Sequence, residues 1–361
     1  MRCAICIPTY RRVAQLLKLI GDLSKQTLRP ELLVVVDGDP SSGEVLTALR
    51  CLRIPPAIEI VYVPSNHASL PYQRYLGWRA CAGSRRLVYL DDDLRITQPD
   101  FLERIIEPLE WRSRRIAGVT CRIDFGDPNH AGSVQSATLE LTKTGPRLWR
   151  KLMNQGLIGR GGVSPSGHRR MPQDSGSGYE TVEWLSGAAM AFRTGDLDAS
   201  CFPVAGFALF EARLATGEDL VLARHARRRG ELVFAYCASV NHPYDTPSNF
   251  GSADFYRLGL IHSYGERYVN DFYRGSAPAT FADRVSLARS LAGSAILHWS
   301  RFLHHREARR WRFGCGFTSG SLRALLAFPK ASELAPGVDW ERDAQEALDA
   351  KVAVRERTPV V

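Results

Sequence analysis

Long apolar runs are missing from this chain of 361 residues. No window of about 18 apolar residues occurs, so a membrane-crossing helix is not expected. No secretory leader is read either. Met1-Arg2 runs directly into Cys3-Ala4-Ile5-Cys6-Ile7, and Pro8 ends that run far short of a hydrophobic leader core. Internal repeats are absent. The glycine-rich stretch Gly156–Gly178 is not followed by Gly-Lys-Ser or Gly-Lys-Thr, which excludes a phosphate-cradling P-loop there. At 45 % hydrophobic and 24 % charged residues, the composition excludes a disordered chain, a collagen-like repeat and a coiled coil.

What is present is enough chain for one large domain or two modest ones. Lys and Arg number 47 against 38 Asp and Glu, a net charge of +9, so an anionic partner is expected. Eight cysteines are scattered, with Cys51, Cys81, Cys121 and Cys237 in apolar surroundings. They read as buried free thiols in a reducing compartment, and the cytoplasm is the expected location. Cys3 and Cys6 are spaced as a Cys-x-x-Cys pair. On an extended strand these positions face opposite ways, so shared metal binding is not expected.

The first hundred residues alternate short apolar runs with amphipathic stretches. Ala4–Ile7, Leu32–Val36, Ile58–Val63 and Leu87–Leu90 read as strands covered on both faces. Val13–Leu23 and Tyr72–Ala82 carry helical spacing between them, which predicts right-handed βαβ units and a mostly parallel sheet. A helix over Phe101–Arg112 and strands over Ile116–Ile123 and Val182–Phe192 are expected next. Gly156–Gly178 reads as a long mobile loop, and loops that long in compact domains are usually functional or disordered. Gly217 opens a helix to about Arg229, and Leu232–Cys237 is one more strand. The fold class is α/β with a helical C-terminal extension. Residues 1–245 are expected to form the main domain, with a division near 115 and 116. Residues 246–335 form the helical extension and 336–361 a polar tail.

Chemistry concentrates at strand ends. Val88-Tyr89-Leu90 runs into Asp91-Asp92-Asp93, at the edge where open α/β sheets bind ligands. Asp91 and Asp93 point the same way in an extended segment and offer hard oxygens to Mg²⁺ or Mn²⁺. The same triplet also reads as an acidic turn capping the next helix. Asp37, in Val36-Asp37-Gly38-Asp39, stands at a second strand end, either to meet a base or ribose or as an ordinary turn. Gly217-Glu218-Asp219 opens a helix, where the helix N-terminus favours a carboxylate anion that can serve as a base or simply cap. Adjacent positions project about 100° apart, so one of the two is expected to face the pocket squarely. His242 lies just beyond the last strand as a candidate third metal ligand or a plain surface histidine.

Taken in order, Ile7-Pro8-Thr9-Tyr10, Val36-Asp37-Gly38, Gln73-Arg74, Leu90-Asp91-Asp92-Asp93, the segment from Trp184 to Arg193 and Gly217-Glu218-Asp219 resemble family 2 glycosyltransferases. These are inverting, nucleotide-diphospho-sugar-dependent enzymes of the GT-A fold, and the resemblance spans about residues 3–245. It implies that residues 1–245 are the catalytic domain, with a nucleotide half to about 115 and an acceptor half from 116, and that Gly156–Gly178 closes as a lid over the acceptor side. It implies that Pro8, Thr9, Tyr10 and Arg11 line the nucleoside and that Asp37 meets the base. It implies further that Arg74, Asp91 and Asp92 stand beside the nucleotide, and that Trp184, Gly187 and Ala188 face the acceptor. Asp91 and Asp93 match the Asp-x-Asp metal motif, with His242 where relatives place a further metal or diphosphate contact. Asp219 matches the catalytic base, with Glu218 beside it. Gly38 and Tyr75 depart from the residues the family usually has there.

The resemblance implies a Mn²⁺ or Mg²⁺ cofactor, a nucleotide-diphospho-sugar donor and a glycan or lipid-linked acceptor, in surface polysaccharide or glycoconjugate synthesis. Two rivals are weighed. A sugar-phosphate nucleotidyltransferase needs a glycine-rich loop after the first strand, where Pro8-Thr9-Tyr10 stands. A basic nucleic-acid binder needs a cationic stripe with stacking aromatics, and strand-end acids oppose it. No nucleic-acid partner is therefore expected. From Arg284 to Phe313, seven arginines face one acid, Glu307, and Leu287, Leu291, Ile296, Trp299, Phe302 and Leu303 recur at near-helical intervals. Such a helix either packs on the catalytic domain or lies peripherally on the inner face of an anionic membrane.

Overall fold

The computed structural model describes residues 3–53, 58–124, 159–170, 172, 178–243, 254–273 and 279–355. Four βα repeats build the first half. Strand β1 (Ala4–Thr9) leads to helix α1 (Val13–Leu23), β2 (Leu32–Asp37) to α2 (Glu44–Cys51), and β3 (Glu59–Pro64) to α3 (Leu70–Ala80). Strand β4 (Arg86–Leu90) is followed by α4 (Phe101–Ile106) and a 3₁₀ turn over Glu107–Glu110. The helix expected to run to Arg112 gives way to the 3₁₀ turn after Ile106, because Pro108 has no N–H to donate to the preceding helical turn.

Beyond these come β5 (Ile116–Asp124), β6 (Tyr179–Val182) and β7 (Ala189–Arg193). Helices α5 (Val204–Glu211) and α6 (Glu218–Ala226) precede β8 (Glu231–Asn241). The single strand expected over Val182–Phe192 is thus two strands, separated by a turn at 183–188. The strand expected to end at Cys237 continues to Asn241. The sheet order is β6-β8-β5-β7-β4-β1-β2-β3-β9, where β9 is Val352–Arg355. β1 to β5 and β8 run one way, while β6, β7 and β9 run against them.

Strand alternation divides the core between the two faces. Ile5, Ile7, Val35 and Val88 pack with Leu16 and Ile20 of α1 and with Phe101 of α4. Ala4, Cys6, Val34 and Tyr89 pack with Tyr72, Phe207 and Trp340 on the other face. Cys3 and Cys6 are fully buried, and burial pushes the Cys3 thiol up to about 12. All eight cysteines are free, but Cys51 is exposed, against the expectation of burial, because it ends α2 on its outer side.

The C-terminal region is helical: α7 (Phe255–Phe272), α8 (Phe281–His305), α9 (Ala308–Leu326), α10 (Ala331–Leu334) and α11 (Trp340–Asp349). No described helix is long and apolar enough to cross a membrane. Leu287 and Leu291 of α8 are buried against Leu260, Phe313 and Phe317. Ile296 and Leu303 are exposed, as are Phe281, Trp311 and Leu326. Residues 336–355 are not a bare polar tail. Trp340 is buried with Tyr72 and Phe207, and β9 pairs antiparallel with β3.

Of Gly156–Gly178, residues 156–158, 171 and 173–177 lie outside the described residues. Residues 159–170 form a tight turn closed by Ser164 N–H to His168 O (2.9 Å) and Arg170 N–H to Gly162 O (2.9 Å). His168 ties this turn to α8 through Ser290 Oγ at 2.8 Å, and Ser290 in turn donates to Glu266 of α7.

Candidate active site

Parallel β1, β2 and β4 end side by side, so Thr9, Asp37 and the Asp91–Asp93 turn share one sheet edge. Asp91 N–H donates to Ala188 O at 3.0 Å, which fixes the start of that turn. Asp92 accepts from Thr9 Oγ1 at 2.7 Å. Arg12 Nη1 donates to Asp93 at 2.5 Å and to Asp92 at 3.2 Å. The triplet therefore caps no helix, since α4 starts only at Phe101. Asp93 is buried under Arg12. Burial pushes the Asp91 and Asp92 carboxyls up to about 6, against the pull of Arg74 and Arg12 respectively.

A cation fits part of this group. Asp93 Oδ1 is buried and accepts no hydrogen bond, and His242 Nε2 lies 3.4 Å from it. An orphaned carboxylate oxygen facing an imidazole suits a hard divalent ion. Asp91 Oδ1 is instead engaged by Arg74 Nη2 at 3.1 Å. Among the described residues, no three His, Cys, Asp or Glu form a preassembled metal group.

Arg74 is the hub. Its side chain is 1 % exposed, and it donates to Glu218 Oε1 at 2.7 Å, to Asp91, and to Gly187 O at 2.8 Å. Gly187 N–H in turn donates to Asp219 Oδ2 at 2.9 Å. A Cβ on Gly187 would stand 3.2 Å from both Arg74 Nη2 and Asp219 Cβ, so a larger residue would make both give way. Here lies the reason that Val182–Phe192 is broken: residues 183–188 leave the sheet to serve Arg74 and Asp219. Gly217, at φ +95°, sets up the start of α6.

Both acids of that helix enter the site, contrary to the expectation of one. Glu218 faces Arg74. Asp219 faces Gly187 and Arg169, whose Nη2 is 3.1 Å from Oδ2. Burial pushes the Glu218 carboxyl up to about 7, opposed by Arg74. Trp184 is buried, with the Arg169 guanidinium 5.4 Å above its ring and its Nε1–H donating to Arg170 O.

On the nucleoside side, Asp37 is fully buried. It accepts from Tyr62 Oη at 3.0 Å and from Asp39 N–H at 2.9 Å, and burial raises its pKa. Pro8 continues β1 beside Val36. Gln73 Nε2 bridges Thr9 O and Val36 O, locking the two strand ends together. Arg11 pairs with Asp39 at 2.5 Å and lies over the Tyr10 ring, which Arg213 also approaches. Arg12, Tyr62 and Arg169 were not singled out in the sequence. For Arg169 the only signal was its place in the glycine-rich loop beside His168 and Arg170.

The α/β sheet thus brings an Asp-x-Asp turn at its parallel strand ends to face the carboxylates at the start of α6. Residues 4–166 match the model described as glycosyl transferase family 2. Two solved structures are similar to the chain. One is a mannosyltransferase from Pyrobaculum calidifontis in complex with GDP-Man and Mn²⁺, at 13 % identity and TM-score 0.46, covering 90 % of this chain and 87 % of that one. The other is S. aureus TarS 1–349, at 13 % identity and TM-score 0.41, covering 90 % and 91 %. No curated protein matches the chain.

Proposed function

We propose that the chain transfers a sugar from a nucleotide-diphosphate donor to an acceptor hydroxyl, with inversion at the anomeric carbon. The observation that carries this reading is the string Asp91–Arg74–Glu218 built on buried Arg74, with Asp219 held to the same Gly187 that Arg74 grips. It couples a donor-side acid to a candidate base through one guanidinium. Asp219 takes the acceptor proton as the hydroxyl attacks in line. Glu218 is secondary, setting the position of Arg74. When Arg169 turns to the incoming acceptor or diphosphate, the Asp219 carboxylate is freed for that proton.

Pro8, Thr9, Tyr10 and Arg11 flank the nucleoside, with Asp37 and Asp92 behind them as supports. Trp184, Gly187 and Ala188 border the acceptor side. Asp91, Asp93 and His242 would hold Mn²⁺ or Mg²⁺, which when bound neutralises charge building on the departing diphosphate. We place the reaction in surface polysaccharide or glycoconjugate synthesis on the cytoplasmic face of a membrane. Support for peripheral contact comes from exposed Phe281, Ile296 and Leu303 on the arginine-rich α8.

Thermal-shift measurements with UDP, GDP, dTDP and CMP, with and without Mn²⁺, test the donor reading. Stabilisation by one nucleoside diphosphate that requires the ion is expected. Equal, metal-independent shifts from all four overturn it.

A further inference from the structure

Strand β4 has two ends, and the one away from Asp91 is also a concavity. A cavity of about 710 Å³ there is lined by Arg85, Arg86, Arg112, Arg114, Arg115 and Arg193, with Leu109, Glu110 and Trp111. Arg86 opens β4 and stands opposite Arg193 in the antiparallel β4–β7 pair. Residues 112–115 form the turn that enters β5. At about 3.3 Å per residue, five-residue β4 separates this cavity from the Asp91 turn by roughly 17 Å.

Its charge is only partly answered. Arg86 pairs with Glu110, Arg114 with Glu231, and Arg115 with Asp196 at 2.7 Å. Arg193 Nε donates to Leu109 O at 3.0 Å. Arg85 and Arg112 are exposed, and their side chains make no ion pair or hydrogen bond among the described residues. Among the described residues, Arg86, Arg114 and Arg115 thus each have a carboxylate partner, and Arg85 and Arg112 have none. The Glu110 carboxyl is held below its usual range by the Arg86 hydrogen bond, with Arg193 and Arg85 adding to the pull. Guanidinium groups converging on a concave surface repel one another, and an anion with several oxygens relieves that repulsion through forked hydrogen bonds.

We propose that this cavity is a second binding site, for a phosphate-bearing anion, with Arg85 and Arg112 as its open forks. Trp111, half-buried against Tyr179, gives the site one flat apolar wall. Binding here needs no divalent ion, because the arginines already supply the positive charge. The phosphate belongs to a soluble diphosphate or to the headgroup of a phosphorylated lipid.

Calorimetric titration of inorganic pyrophosphate into the full chain in EDTA tests the site. One saturable event is expected. It should weaken about tenfold or more in the Arg85→Glu/Arg112→Glu double variant, the size of a lost charge-assisted contact. It should persist in Asp93→Asn. Both arginines are exposed, so the double variant keeps its fold, checked by circular dichroism. No binding in EDTA, or equal binding by the double variant, overturns the proposal. Sedimentation with phosphatidylcholine vesicles, with and without phosphatidic acid, then assigns the source. Capture by phosphatidic acid that the double variant loses identifies a lipid headgroup. Pyrophosphate binding without capture identifies a soluble anion.

Discussion

The two edges of the sheet use the same charged groups in opposite proportion. At the ends of β1, β2 and β4, arginines are buried among carboxylates: Arg74 answers Asp91 and Glu218, and Arg12 answers Asp92 and Asp93. At the start of β4 and β5, arginines outnumber acids and several are exposed. An anion approaching the first edge meets carboxylates whose counter-charges are already committed, so it needs a cation of its own. An anion approaching the second meets positive charge directly. Buried arginine is therefore architecture, and exposed arginine is available for recognition.

The comparison breaks most sharply at Asp93. Asp93→Asn should abolish turnover while circular dichroism stays near that of the parent, since asparagine keeps the shape and Arg12 retains Asp92. Near-normal rates from that variant would remove the metal assignment. Asp219→Asn should lower the rate on the order of 10²–10⁴-fold, the worth of a positioned base, with nucleotide affinity little changed. A larger loss of turnover in Glu218→Gln than in Asp219→Asn exchanges the two roles.

Stability separates the two kinds of arginine. Arg74→Ala leaves the partly buried carboxylates of Asp91 and Glu218 without their partner and should cost about 3 kcal/mol in urea unfolding. Arg112→Ala, on the other edge, should stay within about 0.5 kcal/mol of the parent. Equal effects would erase the distinction.

A smaller effect is carried by Glu218. Its carboxyl is raised to about 7 in the folded chain, so the folded state holds a proton that the unfolded state has released. That contribution to stability is present at low pH and is lost as pH rises through about 7. Glutamine cannot titrate. Relative to the parent, Glu218→Gln should therefore gain stability between about pH 5 and pH 8, and a flat difference in melting temperature across that range contradicts the burial argument. The smallest expected effect is at the membrane: sedimentation with anionic vesicles should fall with salt, and equal recovery with neutral and anionic vesicles at low salt ends the peripheral reading.

Much of this was legible in the sequence, for a physical reason. Strands covered on both faces need unbroken apolar runs, so β1, β2 and β4 announced themselves, and acids at their ends had little else to do than face the crevice. What stayed hidden depends on tertiary contacts. The turn at 183–188 has the composition of a strand, and only the demands of Arg74 and Asp219 on Gly187 take it out of the sheet. Arg12 and Arg169 lie in segments with many arginines, where nothing local distinguishes the one that reaches a carboxylate. The helix and strand at 340–355 looked polar because they cover one edge with one face only.

That last strand bears on how the molecule is made. The outer edge of β3 is a row of open hydrogen-bonding groups, a template for another chain until something pairs with it. Its partner Ala353 follows Val61 by most of the length of the sequence. During synthesis the edge must wait, uncovered, through the making of every intervening helix. A chain interrupted after Asp349 keeps its candidate active site and loses its seal, and self-association through β3 is the failure to look for in it.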